Sequence, residues 1–319
     1  MSNENARPKR AFVCLLLKVS GNVNADAGVG TRIPLKKIIT MNKEIKAFVS
    51  SRCIRRGIRK RMYERGLGID PMFVKGEKLF DAADPIKYAD DDLFCYLAPG
   101  EVPSRNGPIK ISPLISLRHT EIKVEFAARF PREFLKEYQK GYPVPFEIEV
   151  AEWLGRLNTI ISDKIGKFKA VELSDEMKQR NELSETEEGY YQLSPEERKR
   201  RLKGLLEVLL WEGWQFPRAS ESPCTPEFYY AVVALTKHFT PIFSYADVDE
   251  DDKLDQHKLS KMLELYGELI DELYIINYRD GILEVYKKSG SSISKAESKE
   301  LSAETIKEVI EAVCRYIVT

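Results

Sequence analysis

Between Ser51 and Arg65 the 319-residue chain carries seven basic side chains, Arg52, Arg55, Arg56, Arg59, Lys60, Arg61 and Arg65, against one acid, Glu64. The whole chain holds 50 Lys and Arg and 50 Asp and Glu, a formal net charge of zero, so this concentration is local. At about 3.6 residues per helical turn, Arg52, Arg55, Arg56 and Arg59 share one stripe, while Ile54, Ile58 and Met62 share the opposite one. Such a helix docks on a core by one side and presents guanidinium groups on the other. Like charges stacked along a helix repel, and a planar guanidinium fork matches a phosphate through two parallel hydrogen bonds. Ser50, preceded by the apolar Val49, is placed to cap the helix, whose first amides also favour an anion. Two readings follow, a solvated basic face and a contact surface for phosphate or nucleic acid. The excess of Arg over Lys and the continuity of the stripe favour the second.

Ahead of the helix lies Ser20-Gly21-Asn22-Val23-Asn24-Ala25-Asp26-Ala27-Gly28-Val29-Gly30. Asn and Gly tolerate the tight backbone paths by which a loop closes on a ligand, and equally those of an Asx-capped turn. Gly28 and Gly30 lack the third glycine of a dinucleotide fingerprint, and no Gly-Lys-Ser/Thr follows. A lone histidine can act as general base in ribonuclease chemistry. His119, His238 and His257 stand far apart, however, and His119 and His238 read first as structural residues. Asp247 to Asp251 begins like a calcium loop, but Asp252 and Lys258 occupy the positions that require Gly and Glu, so it reads as a solvated acidic loop. Trp211, Trp214 and Phe216 beside Arg218 have the composition of a base-stacking group, although packing at a helix end is the commoner use. These residues assign no catalytic group, metal site or cofactor.

The elements that must position these groups follow from local pattern. Arg10 to Val19 is apolar without alternation, as in a central strand buried on both faces. Gly66 and Gly68 end the basic helix. Leu93 to Leu97 reads as a short strand, Pro99 to Pro108 as an exposed loop tip holding Arg105, and Thr120 to Phe126 as a half-buried strand. Ser194, Pro195 and Glu197 start a helix with a capping box, and Leu202, Leu205, Leu206, Leu209 and Leu210 form its apolar face. Trp211 to Pro226 is a loop and Phe228 to Leu235 a strand. Leu259 to Leu273 is helical, Tyr274 to Tyr286 a hairpin turning at Asp280-Gly281, Ser289 to Ser294 a flexible connector, and Thr305 to Ile317 an amphipathic helix. The order strand, helix, strands, helix, strand with long insertions gives an α+β chain with a ferredoxin-like or RRM-like core. Such a core offers its sheet face and loops to single-stranded RNA. The chain reads as one domain over residues 1–319, with 171–193 a mobile acidic insertion.

Hydrophobic residues make up 43% of the chain and charged residues 31%, as in a soluble globular protein. No apolar run approaches the roughly 20 residues that span a bilayer, and Ala11 to Leu17 reads as a buried strand and not a signal peptide. Five scattered cysteines without a CxxC pair indicate neither a disulfide framework nor a zinc site, and point to a reducing cytoplasm.

Three segments in order, Leu17 to Asp26, Pro34-Leu35-Lys36-Lys37 and Val49 to Arg59, resemble the opening of the DevR-type CRISPR-associated proteins. These are RAMP-superfamily backbone subunits of the type I Cascade surveillance complex. Asp92-Leu93-Phe94-Cys95-Tyr96 is similar to that family's Asp-Leu-Phe-Gly-Tyr, with Cys95 in place of the glycine, and Gly107 to Pro113 resembles the segment that follows. The resemblance spans the first 130 residues or so and is looser beyond. It implies an RRM-like palm with long inserted finger and thumb elements, 66–118 being the finger or thumb insertion with Arg105 in it. It also implies a non-catalytic subunit without metal or cofactor, copies of which form a helical filament along one CRISPR RNA beside other Cascade subunits. Target DNA is then read by base pairing to the guide. Carried over by position, Asn22, Asn24, Ser50, Arg52, Arg55, Arg56 and Arg59 contact the RNA backbone. Related backbone subunits of type III complexes are similar here and cleave RNA with an aspartate in the loop after the first strand. Asp26 stands in such a loop, which makes a metal-dependent endoribonuclease the alternative.

Overall fold

The computed structural model describes residues 7–23, 28, 30–96, 105–137, 139–186, 189–216 and 224–319. Asn24, Asp26 and Arg218 lie outside them. Among the described residues one sheet gathers twelve strands around β1 (Arg10–Gly21). Every residue of β1 from Ala11 to Leu17 is buried. Ala11, Val13, Leu15 and Leu17 enter the core on one side, and Phe12, Cys14 and Leu16 enter a second core on the other. An unbroken apolar run suits a strand covered on both faces.

The remaining main elements are β2 (Ile45–Val49), α1 (Ser51–Glu64), α2 (Ala89–Phe94), β3 (Ile109–Ile111), β4 (Leu114–Ser116), β5 (Lys123–Arg129), β6 (Val144–Ser162), α3 (Pro195–Glu207), β7 (Glu227–Thr236), α4 (Gln256–Tyr266), β8 (Glu272–Asn277), β9 (Ile282–Ser289), β10 (Ser292–Glu300) and α5 (Ala303–Val318). β7, β1, β6 and then β3 and β4 lie side by side, all antiparallel. With α1 and α3 in the connections, this is the ferredoxin-like order, and the fold is α+β as expected. β8, β9 and β10 extend the sheet beyond β7, and β2 extends it beyond β4.

The helices α1, α3 and α5 pack on one face through Ile54, Ile58, Leu202, Leu206, Val309 and Val313 among others. The opposite face, which an RRM offers to RNA, is covered over β1, β7 and β8 by Ile242, Val248, Leu254, Leu259 and Met262. That part of the sheet is therefore closed to a ligand, whereas the outer side of α1 is not covered by this second core. β6 pairs with β1 only from Ala151 onward. Its first seven residues run on past β1 and pair with β5, making a hairpin whose connecting residues are largely exposed.

Some local expectations give way to tertiary context. Residues Ala89–Phe94 form a buried helix where a strand around Leu93 was expected, and Asp90, Asp91 and Asp92 in its first turn suit the positive end of a helix. β5 alternates in sequence, yet Val124 and Phe126 are both exposed instead of half-buried. β10 replaces most of the expected connector after Ser289. The described residues of 171–193 include short strands that pair into a small sheet with Lys167–Lys169. There Leu173 and Leu193 pack with Ile86 and Phe168. Their apolar residues lack a period because they serve a small core of their own.

Candidate nucleic-acid interface

The basic helix α1 is positioned as its sequence predicts. Ser50 is extended, and its Oγ accepts a hydrogen bond from the Cys53 amide at 3.3 Å. Ile54, Gly57, Ile58 and Met62 are buried against the core. A left-handed Gly66 (φ 78°) follows the last turn. A side chain at Gly57 would place its Cβ 2.8 Å from the Gln215 carbonyl and from Trp214 Cδ1, so α1 lies directly on the segment after α3.

The charges on this helix separate into two groups that the sequence shows as one. Toward its C-terminal end, Arg61 pairs with Glu64 and with Glu212 at 3.1 Å, and Arg65 pairs with Glu207 and Glu212. Arg59 donates from Nε to Asp90 at 2.8 Å and lies 5.2 Å from the centre of the Phe94 ring. Asp90, Glu207 and Glu212 are 31 to 151 positions away in sequence, so the stretch itself shows only Glu64. At the N-terminal end, Arg52, Arg55 and Arg56 make no ion pair among the described residues. Arg52 and Arg56 are exposed. Arg55 is half-buried, and its guanidinium pKa is lowered by that burial and then by Arg59 and Arg52 beside it. Lys36 adds a further cation close enough to act on the Cys53 thiol. Uncompensated like charges on a partly buried site favour an incoming anion.

The other expected contact residues are placed less uniformly. Asn22 directly follows β1, and its side-chain amide donates to the Glu149 carbonyl at 2.7 Å and the Ile33 carbonyl at 3.4 Å. Glu149 is buried there. Burial pushes its pKa up, but Lys37, the Leu35 amide and Arg32 bring it below the usual carboxylate range. Asn22 thus fastens the start of the loop to the base of the β5–β6 hairpin, and its amide hydrogens are used by backbone carbonyls. Arg105 is corrected outright. It was expected on an exposed loop tip, but its side chain is 1% exposed and ion-paired to the fully buried Asp92. Trp214 and Phe216 are buried packing residues. Asp247 is tied to Arg118 and Lys258. The His119 Nδ1 accepts from the Ile45 amide at 3.3 Å. Among the described residues no cluster of His, Cys, Asp and Glu is arranged to hold a metal ion, and no helix is long and apolar enough to cross a membrane.

The sequence reading missed the β5–β6 hairpin. Phe126, Phe134 and Tyr142 on it are 72%, 84% and 97% exposed, and Val124, Phe130, Leu135 and Val144 are exposed as well. The alternation around Val124 and Phe126 signals a strand but not which way its apolar side faces. Large apolar side chains clustered in solvent mark an interaction surface.

Residues 41–258 match the family model described as CRISPR-associated negative auto-regulator DevR/Csa2. That span includes α1, α2 and the hairpin and begins after β1. Among curated proteins nothing matches. Two solved structures are similar in fold, one described as a CRISPR RNA-guided surveillance complex and one as the same kind of complex in a pre-nicking state. Their TM-scores are 0.56 and 0.55, each at 11% identity, covering 95% of this chain and 99% of the matched chain.

Proposed function

The chain belongs to the DevR/Csa2 family of CRISPR-associated proteins, and from that premise we propose that it is a non-catalytic backbone subunit of a type I surveillance complex. Copies bind one CRISPR RNA through its phosphates, assemble side by side along it, and hold it for base pairing with target DNA. The observation that carries this reading is the group Arg52, Arg55 and Arg56 at the N-terminal end of α1, which has no ion pair among the described residues. On the same helix every arginine from Arg59 onward already has a carboxylate. The β5–β6 hairpin, with its exposed aromatic residues, supplies the contact to the next copy and takes the part of the thumb. The fold likeness to subunits of solved surveillance complexes supports the same reading.

The test is to mix the purified protein with single-stranded RNAs of increasing length and image the mixtures by electron microscopy at low and high salt. The expected result is arcs or filaments that lengthen with the RNA, dissolve in salt and vanish when Arg52, Arg55 and Arg56 are all changed to Ala. Intact wild-type protein that neither binds nor assembles on RNA would sink the proposal. RNA shortened in a divalent-cation-dependent way, with cleavage lost in Asp26→Ala, would replace it with a nuclease.

A further inference from the structure

We infer that Asp90 and Phe94 are positioning residues that hold the Arg59 guanidinium open toward a phosphate, an inference that rests on the RNA-binding reading above. The argument lies in which nitrogen of each arginine is engaged. Arg61 and Arg65 spend Nη1 and Nη2, the two prongs of the fork, on Glu64, Glu207 and Glu212. Their phosphate-matching edge is therefore occupied. Arg59 instead donates from Nε to Asp90 Oδ2 at 2.8 Å. Its Nη1 and Nη2 have no hydrogen-bond partner among the described residues, and its side chain remains 30% exposed.

The grip on Nε is itself fixed. Asp90 sits buried in the first turn of α2, and its other oxygen, Oδ1, accepts the Asp70 amide at 2.9 Å. Phe94, one turn along the same helix and 1% exposed, backs the guanidinium with its ring. One carboxylate and one ring thus restrict a side chain that is otherwise rich in rotamers, and leave free the two donors that match a phosphate. Holding a donor in place before the ligand arrives reduces the ordering cost of binding.

The sign of one substitution separates this role from a general charge effect. Asp90→Asn removes a negative charge beside a phosphate site, which on charge alone tightens RNA binding. Positioning predicts the opposite, a loss of roughly three- to tenfold in affinity at fixed ionic strength, as expected when one oriented donor becomes mobile. The measurement is fluorescence anisotropy with a labelled single-stranded RNA, on wild type, Asp90→Asn, Arg59→Ala and the double variant. The expected outcome is weaker binding in Asp90→Asn and no further loss when it is added to Arg59→Ala. Unchanged or tighter binding in Asp90→Asn overturns the inference while leaving the RNA reading standing. An equal loss in the Arg59→Ala background also overturns it, because the effect would not then pass through Arg59. Phe94→Leu keeps an apolar side chain, though a smaller one, but removes the ring, and must weaken binding with the same dependence on Arg59, which covers the case of a poorly folded Asp90→Asn. Wild-type protein that fails to bind RNA removes the reading and this inference together.

Discussion

Three consecutive aspartates show how much chemistry the fold adds to a run that looks uniform. Asp90 holds Arg59. Asp92 accepts from Arg105, from Arg201 at 3.1 Å and from the Gly166 amide. Arg105 in turn donates to the Asp92, Lys164 and Lys167 carbonyls, so this buried ion pair leaves no strong donor idle. Asp91 lies between them with the Asp84 amide donating to it at 2.9 Å, and no ion pair to it is seen among the described residues. Burial, then the charges of Asp70 and Asp90, push its pKa from 3.8 up to about 8. The sign of the consequence follows from proton counts. Between these two values the folded protein binds more protons than the unfolded chain, so stability falls as pH rises through that window and levels off above it. Carboxylates with lowered pKa, such as Glu149 and Asp247, act below their ordinary values near 4, so the interval above them belongs to raised carboxylates, Asp91 first and, in the same direction through burial, its neighbour Asp90. Thermal melts at pH 5, 6, 7 and 8 are expected to show the midpoint falling in wild type. In Asp91→Asn they should show a flatter profile with a higher midpoint at pH 8. An identical slope in the variant would remove Asp91 as its source. Nothing in Asp-Asp-Asp distinguishes the three, because their partners come from distant parts of the chain.

Secondary structure was legible wherever a local signal decides it. Ser50 and Ser194 cap their helices as read, β1 is buried throughout its centre, and the hairpin at Asp280-Gly281 turns on a left-handed glycine. The apolar stripe of α5 is buried through Ile306, Val309, Ile310, Val313 and Ile317. The signal failed where a neighbour decides. α2 is six residues long and owes its place to burial, too short to show a helical period. The Glu197 carboxylate does not close a capping box but pairs with Arg200 and Arg201. Of the candidate site, the basic stripe and its orientation could be read, but not the division between paired and unpaired arginines, which depends on α2, α3 and the turn after it. Gly57 makes the same point for packing. By propensity alone, Gly57→Ala in the middle of α1 stabilises by about 1 kcal/mol. Its new methyl would instead meet backbone and indole atoms at 2.8 Å, and overpacking of this kind costs about 1–3 kcal/mol. The expected result is a net loss of stability on urea unfolding, with a midpoint below wild type. A midpoint at or above wild type would mean that α1 can ride up on Trp214 without strain.

Charge and apolar surface are segregated across the chain in a way that suits assembly. A formal net charge of zero lets many copies lie side by side without mutual repulsion, while the unpaired arginines keep a local attraction for a polyanion. The largest single group of exposed apolar side chains among the described residues lies on the β5–β6 hairpin, with a smaller one at Met72, Phe73, Val74 and Leu79. Binding and assembly should therefore be separable. Phe126 and Phe134 are 72% and 84% exposed, so changing both to Ser removes little buried area from the monomer. Surface changes of this kind usually stay within about 0.5 kcal/mol. The double variant is expected to melt close to wild type and to bind a short RNA, long enough for one copy, with unchanged affinity and salt dependence. On long RNA it should bind without neighbour-to-neighbour cooperativity and form no filament. Sedimentation of wild type and variant on short and long RNA reads both properties at once. Filaments that persist in the variant would move the contact between copies to another surface, whereas a fall in melting temperature of many degrees would show that the hairpin packs against its own chain. Loss of binding to the short RNA would place these aromatic residues on the RNA itself, since α1 and its arginines are untouched by the change.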